Sequence, residues 1–297
     1  MQLTMKTKKT GRFERYILNS LSRIIHGNAA GYANNVLAKR HLYQIQASLK
    51  KDAHKFIIPS TQTIDFLDRE GYLIVNPGYD KTLLTTIREK AEKLFSNNEV
   101  SIATGRNKQQ VKPMRVLSNP LKNIPELKQL LTQEIEKIIC AHYRSYFKVD
   151  TVRMWRNCHM PDEIADADHY SNLWHNDYNP VTSLRYFVYL TDGVNKETGA
   201  LRFHPASHTR KIIFAGYFRR GSVTRRALQK LEDPNQIIYF EGGVGAACIM
   251  NPQRCLHRAG VPCEGSYRDI VQFTLVPSNK SLDSDWVDKI EDDHEIP

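Results

Sequence analysis

The sequence predicts an α+β fold, mainly β, in which an antiparallel sandwich or barrel follows a set of helices. Two observations carry this. Up to about residue 145 the apolar residues recur at three- and four-residue spacings, and from about 147 the texture changes to short β-forming runs. Those runs are separated by Gly, Pro, Asn and Asp clusters, and helices first with strands afterwards is the order of a segregated α+β chain.

The elements follow in order. Residues 13–26, "FERYILNSLSRIIH", put Phe13, Ile17, Leu21, Ile24 and Ile25 on one helical face beside Arg12, Arg15 and Arg23. Three roles fit this helix: packing on the body, lying on an anionic membrane surface, or targeting. A second helical pattern carries Leu42, Ile45 and Leu49 and ends at Lys50 and Lys51. "IDFLDREGYLIV" (64–75) reads as a short helix, a stop at Gly71 and a strand. Asp80 then caps a helix with Leu83, Leu84, Ile87, Ala91, Leu94 and Phe95 on one face. A further helix is predicted from Pro125, carrying Leu127, Leu130, Leu131, Ile135 and Ile138. The strands are "DTVRMW", "SLRYFVYL", "GALRFH", "QIIYFE", "GAACIM" and "RDIVQFTLV".

Composition bounds the class. The 297 residues are 41% hydrophobic and 25% charged, as in ordinary globular proteins. No apolar run approaches the ~20 residues of a membrane span. The five cysteines include no C-x-x-C pair, which argues for a reducing, cytoplasmic setting over a disulfide framework or zinc knuckle. The net charge is +10, yet residues 1–55 alone carry eleven Lys/Arg against Glu14 and Asp52. The rest is nearly balanced, so no nucleic-acid partner is expected.

The chemistry starts at "LWHNDYNP" (173–180). In an extended segment His175 and Asp177 project to one face, because strand side chains alternate. A third ligand is available in His257 of "MNPQRCLHRAG", after the apolar run "GAACIM". Two histidines and a carboxylate leave open positions on a metal, the facial arrangement of non-haem Fe(II) oxygenases. Arg268 comes eleven residues after His257 and opens "RDIVQFTLV", where it shares a face with Ile270, Gln272 and Thr274, and Val271, Phe273 and Leu275 take the other. A hairpin through "AGVPCEGS" is expected to set this strand beside the one bearing His257. Arg268 offers a permanently charged fork for a carboxylate. The alternative is a surface ion pair with Asp269.

"LWHNDYNP", "SLRYFVYLTDGVNKETGALRFHPASHTR" and "NPQRCLHRAG" followed by Arg268 together resemble the phytanoyl-CoA dioxygenase-like (PhyH) family of Fe(II)/2-oxoglutarate-dependent oxygenases. The matching parts are the Trp-His-x-Asp segment, Thr198-Gly199-Ala200-Leu201, the Pro205-Ala206-Ser207-His208 box, and the distal His257 with its arginine. The resemblance spans about 55–278 and implies a double-stranded β-helix (jelly roll) with buttressing helices. It divides the chain into a basic helical extension (1–54), a dioxygenase domain (55–280) and an acidic tail (281–297). It implies Fe(II) on His175, Asp177 and His257, and 2-oxoglutarate held by Arg268 at its C5 carboxylate. For the second contact to 2-oxoglutarate, Lys112, Arg115 and Tyr186 are candidates, with Tyr186 preferred. Where the family often has Ser two residues after the distal histidine, this chain has Ala259.

The implied reaction is hydroxylation of an unactivated C–H bond of a small-molecule or lipid-like substrate with O2, releasing succinate and CO2. Related halogenases have a small residue at the carboxylate position, so Asp177 favours hydroxylation. His204 and His208 are expected to be structural or pocket-edge groups, and the acidic run 159–170 a solvated loop. The basic set Arg210, Lys211, Arg219, Arg220, Arg225, Arg226 and Lys230 is either an anionic-substrate surface or an exposed helix face. Two other classes stay open: a non-catalytic jelly-roll binding module tethered by its N-terminal helix, and an O2-independent metal-dependent isomerase or hydrolase.

Overall fold

The computed structural model describes residues 28–56, 61–97, 101–104, 113–161, 171–177, 180–214, 222–223, 233–283 and 286. The amphipathic segment 13–26, Lys112, the run 162–170, the basic residues 219–230 and most of the acidic tail lie outside them. Among the described residues no helix is long and apolar enough to cross a membrane.

Among the described residues five helices precede the first long strand: α1 (Asn28–Ser48), α2 (Thr61–Glu70), α3 (Lys81–Ser96), α4 (Pro120–Asn123) and α5 (Gln133–Tyr143). Helix α3 starts where expected, the Asp80 carboxylate accepting from the Leu83 N–H at 3.0 Å. Its stripe Leu84, Ile87, Ala91 and Phe95 is buried. The single helix expected from Pro125 is two elements. A 3-10 turn covers Pro125–Leu130, and Thr132 caps α5 afresh by accepting from the Ile135 N–H. Leu131 between them leaves helical geometry (φ −84°, ψ 81°), although it keeps the apolar period that made the two look continuous. Helix α1 is anchored at its C-terminal half. Ile45 and Leu49 pack with Phe56 against Cys140 and Tyr146, and the Gln46 amide donates to the Tyr143 carbonyl at 2.7 Å.

The β region is two antiparallel sheets. The larger has the order β1 (Tyr72–Val75), β10 (Ala247–Met250), β6 (Leu184–Tyr189), β12 (Tyr267–Ser278), β4 (Tyr146–Cys158), β3 (Met114–Leu117), β2 (Ser101–Thr104). The smaller has the order β8 (Ser222–Val223), β5 (Trp174–His175), β11 (His257–Arg258), β7 (Leu201–Phe203), β9 (Ile238–Phe240). From β4 onward the chain passes repeatedly between the sheets, which makes the body a jelly roll. One expectation is overturned here: β11 and β12 are not hairpin partners. Residues 259–266 carry the chain from the small sheet to the large one, where β12 pairs with β4 and β6.

The large sheet is covered on both faces, so β6 and β12 are buried almost throughout. On its outer face Val271, Phe273, Leu275, Tyr186 and Val188 pack with the stripes of α2, α3 and α5. On the inner face Ile270, Phe187 and Tyr189 meet Leu201, Phe203, Phe240, Cys248 and Met250 between the sheets. The two faces of β12 thus divide as its alternation predicts. Each fully buried Leu, Ile or Phe contributes roughly 1.5–3 kcal/mol, so both layers hold the sheet. Tyr189 ties the sheets together: its hydroxyl donates to Phe240 O at 3.0 Å and accepts from the Leu201 N–H at 2.9 Å.

Candidate metal centre

Strand pairing builds the centre. In the small sheet β5 lies antiparallel to β11 with His175 directly opposite His257, and the two rings sit 4.3 Å apart. Each imidazole is oriented by the segment that leads into its strand. The Nδ1 of His175 is 2.8 Å from Leu173 O, and the Nδ1 of His257 is 2.9 Å from Cys255 O. A carbonyl can only accept, so each Nδ1 carries the proton and each Nε2 presents its lone pair. Both lone pairs face one atom: Asp177 Oδ1 lies 3.6 Å from His175 Nε2 and 3.7 Å from His257 Nε2. Asp177 is placed by its N–H donating to Pro252 O at 3.1 Å, which pins the loop after β5 against the turn before β11.

Among the described residues these three side chains form a cluster whose ligand atoms all lie within 4.8 Å of one another. Neighbouring ligands on a six-coordinate ion with bonds of ~2.1 Å stand about 3.0 Å apart, so a small inward movement closes the set on a metal. The electrostatics favour the metal-binding protonation state. Burial, with the neighbouring His175, pushes the His257 pKa down to about 4, leaving the ring neutral. Burial works against ionised Asp177, but the surrounding charge, that of the Arg185 guanidinium included, outweighs it and holds its carboxyl below the ordinary value. Two imidazole nitrogens and one carboxylate suit a borderline divalent ion such as Fe(II).

A second polar group lies between the sheets. Arg268 is 1% exposed, so it is no surface ion-pair residue. Asp269 instead takes the fork of Arg156 at 2.7 and 2.8 Å on the opposite face. The Arg268 guanidinium donates to Gly199 O and, at 2.6 Å, to Asn157 Oδ1. Trp155 Nε1 donates to the same Asn157 oxygen at 3.0 Å. This leaves two buried donors without a partner, Arg268 Nε and Asn157 Nδ2. Unpaired buried N–H groups are costly, and two beside a guanidinium form a cradle that suits a carboxylate. The backbone sets the spacing. Gly260, three residues past His257, runs so close to Gly199 and Ala200 that a Cβ on it would sit 2.3 Å from Ala200 O. Gly199 itself has φ +90°. The chain that carries His257 thus reaches, three residues on, the stretch whose Gly199 carbonyl accepts from Arg268.

The other candidates do not join them. Tyr186 is on the outer face of β6: its register partner is Phe273, and its hydroxyl bonds that of Tyr79 beneath the helices. Assigning it to the keto acid is therefore corrected, because β6 turns it away from the site. Arg115 pairs with Arg156 on that same outer face. His204 is buried and stacked on Trp174 at 4.8 Å, with His208 5.0 Å beyond. Arg210 and Lys211 are exposed on α6 (Ala206–Phe214).

Two residues at the site carry no motif. Asn157 stands opposite Arg268 in the β4–β12 register, and Arg185, the neighbour of Tyr186, turns inward to Asp177. The signal for Arg185 was strand parity. Once Thr274 is set opposite it, Arg185 shares the face of Arg268.

Residues 67–261 match the family model described as Phytanoyl-CoA dioxygenase (PhyH). No curated protein matched the chain. Several solved structures share its fold. EctD from S. alaskensis, crystallised with 2-oxoglutarate and 5-hydroxyectoine, aligns with a TM-score of 0.56 at 14% identity, over 73% of this chain and 76% of its own. The non-heme alpha ketoglutarate dependent epimerase SnoN from nogalamycin biosynthesis aligns at 0.54 and 17%, over 73% and 82%. The carbocyclase SnoK from the same biosynthesis aligns at 0.51 and 18%, over 78% and 91%.

Proposed function

The chain belongs to the phytanoyl-CoA dioxygenase family, and from that membership we propose that it is an Fe(II)- and 2-oxoglutarate-dependent dioxygenase acting on a small molecule. The observation that carries this reading is the conjunction of the His175–Asp177–His257 cluster with the unpaired donors at Arg268 and Asn157. One group has the donor set of a non-haem iron site, and the other is a buried set of donors suited to a carboxylate.

In this reading His175 and His257 supply neutral Nε2 donors, and Asp177 supplies one negative oxygen. Arg268 and Asn157 receive the C5 carboxylate of 2-oxoglutarate and orient its keto end towards the metal. Iron with the keto acid would supply the oxidising chemistry, consuming O2 and releasing succinate and CO2. Phe187 and Ile270 line the space between the sheets and keep bulk water from it. We place the catalytic unit in residues 55–280, with α1 packed upon it. Hydroxylation is the outcome we assign. Proteins of this fold also include an epimerase and a carbocyclase, so the product is the point to measure.

The test is Arg268→Lys, which keeps the charge but loses the planar fork. Loss of two paired donors should raise the 2-oxoglutarate needed for succinate release by about tenfold or more, with metal affinity unchanged. Turnover that needs neither O2 nor 2-oxoglutarate would instead favour a metal-dependent isomerase or hydrolase.

A further inference from the structure

We propose that Arg185 is the positioning residue of the metal centre, holding Asp177 so that the carboxylate meets the metal through a single oxygen. This rests on the proposed iron and keto-acid site and assigns a role within it.

The two oxygens of Asp177 have different surroundings. Oδ1 faces both imidazole nitrogens, at 3.6 and 3.7 Å, whereas Oδ2 accepts from Arg185 Nη2 at 3.4 Å. Arg185 is itself braced. Its Nη1 donates to Thr274 Oγ1, and that hydroxyl bonds Thr151 Oγ1 at 2.7 Å on the next strand. Three adjacent strands, β6, β12 and β4, thereby fix the guanidinium. The side chain is 11% exposed, so salt screens its charge little.

Coordination number makes the contact matter. A six-coordinate ion held by three protein atoms keeps three open positions, two for a chelating keto acid and one for O2. A carboxylate bound through both oxygens would occupy one of these. By engaging Oδ2, Arg185 keeps that oxygen off the metal. Outer-shell partners of this kind typically alter affinity or activity 10–100-fold.

The role has an unusual sign. A guanidinium repels a dication, so its removal should not weaken metal binding, whereas a merely structural residue would weaken metal and keto acid together. The experiment compares wild type, Arg185→Met and Arg185→Lys, each titrated anaerobically with Co(II) alone and then with 2-oxoglutarate. For Arg185→Met we expect Co(II) affinity within about threefold of wild type and altered visible d–d bands. Its 2-oxoglutarate affinity should fall about tenfold or more. Arg185→Lys keeps a cation by Oδ2 and should recover most of that affinity and the wild-type bands. The proposal is overturned if Arg185→Met binds 2-oxoglutarate as wild type does. It is equally overturned if the variant loses Co(II) and keto acid in parallel with Lys no better. Should Arg185→Met not fold, an Arg185→Lys protein with altered Co(II) bands overturns the proposal by itself. Wild type that takes up Co(II) but not 2-oxoglutarate would sink the functional reading instead, whatever the variants do.

Discussion

His175 and His257 converge on one carboxylate oxygen because each ring is tied by Nδ1 to a carbonyl two residues back, in the segment that leads into its strand. That placement needs only the local backbone, and the ligand types were accordingly legible in the sequence. The choice between Tyr186 and Arg185 was not. They are adjacent on one strand, and which of them faces inward depends on the pairing of Thr274 with Arg185, a contact across 89 residues. The family resemblance offered Tyr186 as a keto-acid contact, and the register turns Arg185 inward to Asp177 instead. A pH prediction belongs to this scale. The folded pKa of His257 lies near 4, below its unfolded value, so folding excludes a proton. Its contribution is therefore complete above about pH 6.5 and is lost as pH falls towards 4. Denaturant unfolding of the metal-free protein should show stability falling across that window, with a shallower fall in His257→Gln. Equal slopes in the two proteins would refute this.

Among the elements, the helices declared themselves through caps and periodicity. Asp80 marks the start of α3, whereas the short α4 and the break at Leu131, after which Thr132 caps α5, were not read; the apolar period runs across that break. The strand alternation of β12 was equally legible. The segment joining β11 to β12 was not, since turn residues show that a chain reverses but not which sheet it enters. That segment includes Gly260, whose backbone lies against Gly199, the residue whose carbonyl Arg268 grips. Gly260→Ala would set a methyl against backbone atoms that have nowhere to go. We expect a loss of about 1–3 kcal/mol of stability with weakened 2-oxoglutarate binding and retained metal binding, read by thermal unfolding and calorimetry. Unchanged keto-acid affinity would separate Gly260 from the cradle.

In the whole molecule, one large sheet serves two purposes. Its outer face is buried under helices, which fixes the strands, and its inner face presents Arg185, Arg268 and Asn157 to the small sheet that bears the metal ligands. The candidate centre thus exists only when both sheets are assembled, with His175 and His257 from the small sheet, Asp177 from the loop after β5 and the arginines from the large sheet. The most direct measurement is an anaerobic titration of the purified protein with Fe(II) and then 2-oxoglutarate, followed in the visible range. The account predicts a weak metal-to-keto-acid charge-transfer band that saturates at one equivalent of each and is absent from Asp177→Ala. Fully metal-loaded protein that binds no 2-oxoglutarate and gives no such band would contradict it.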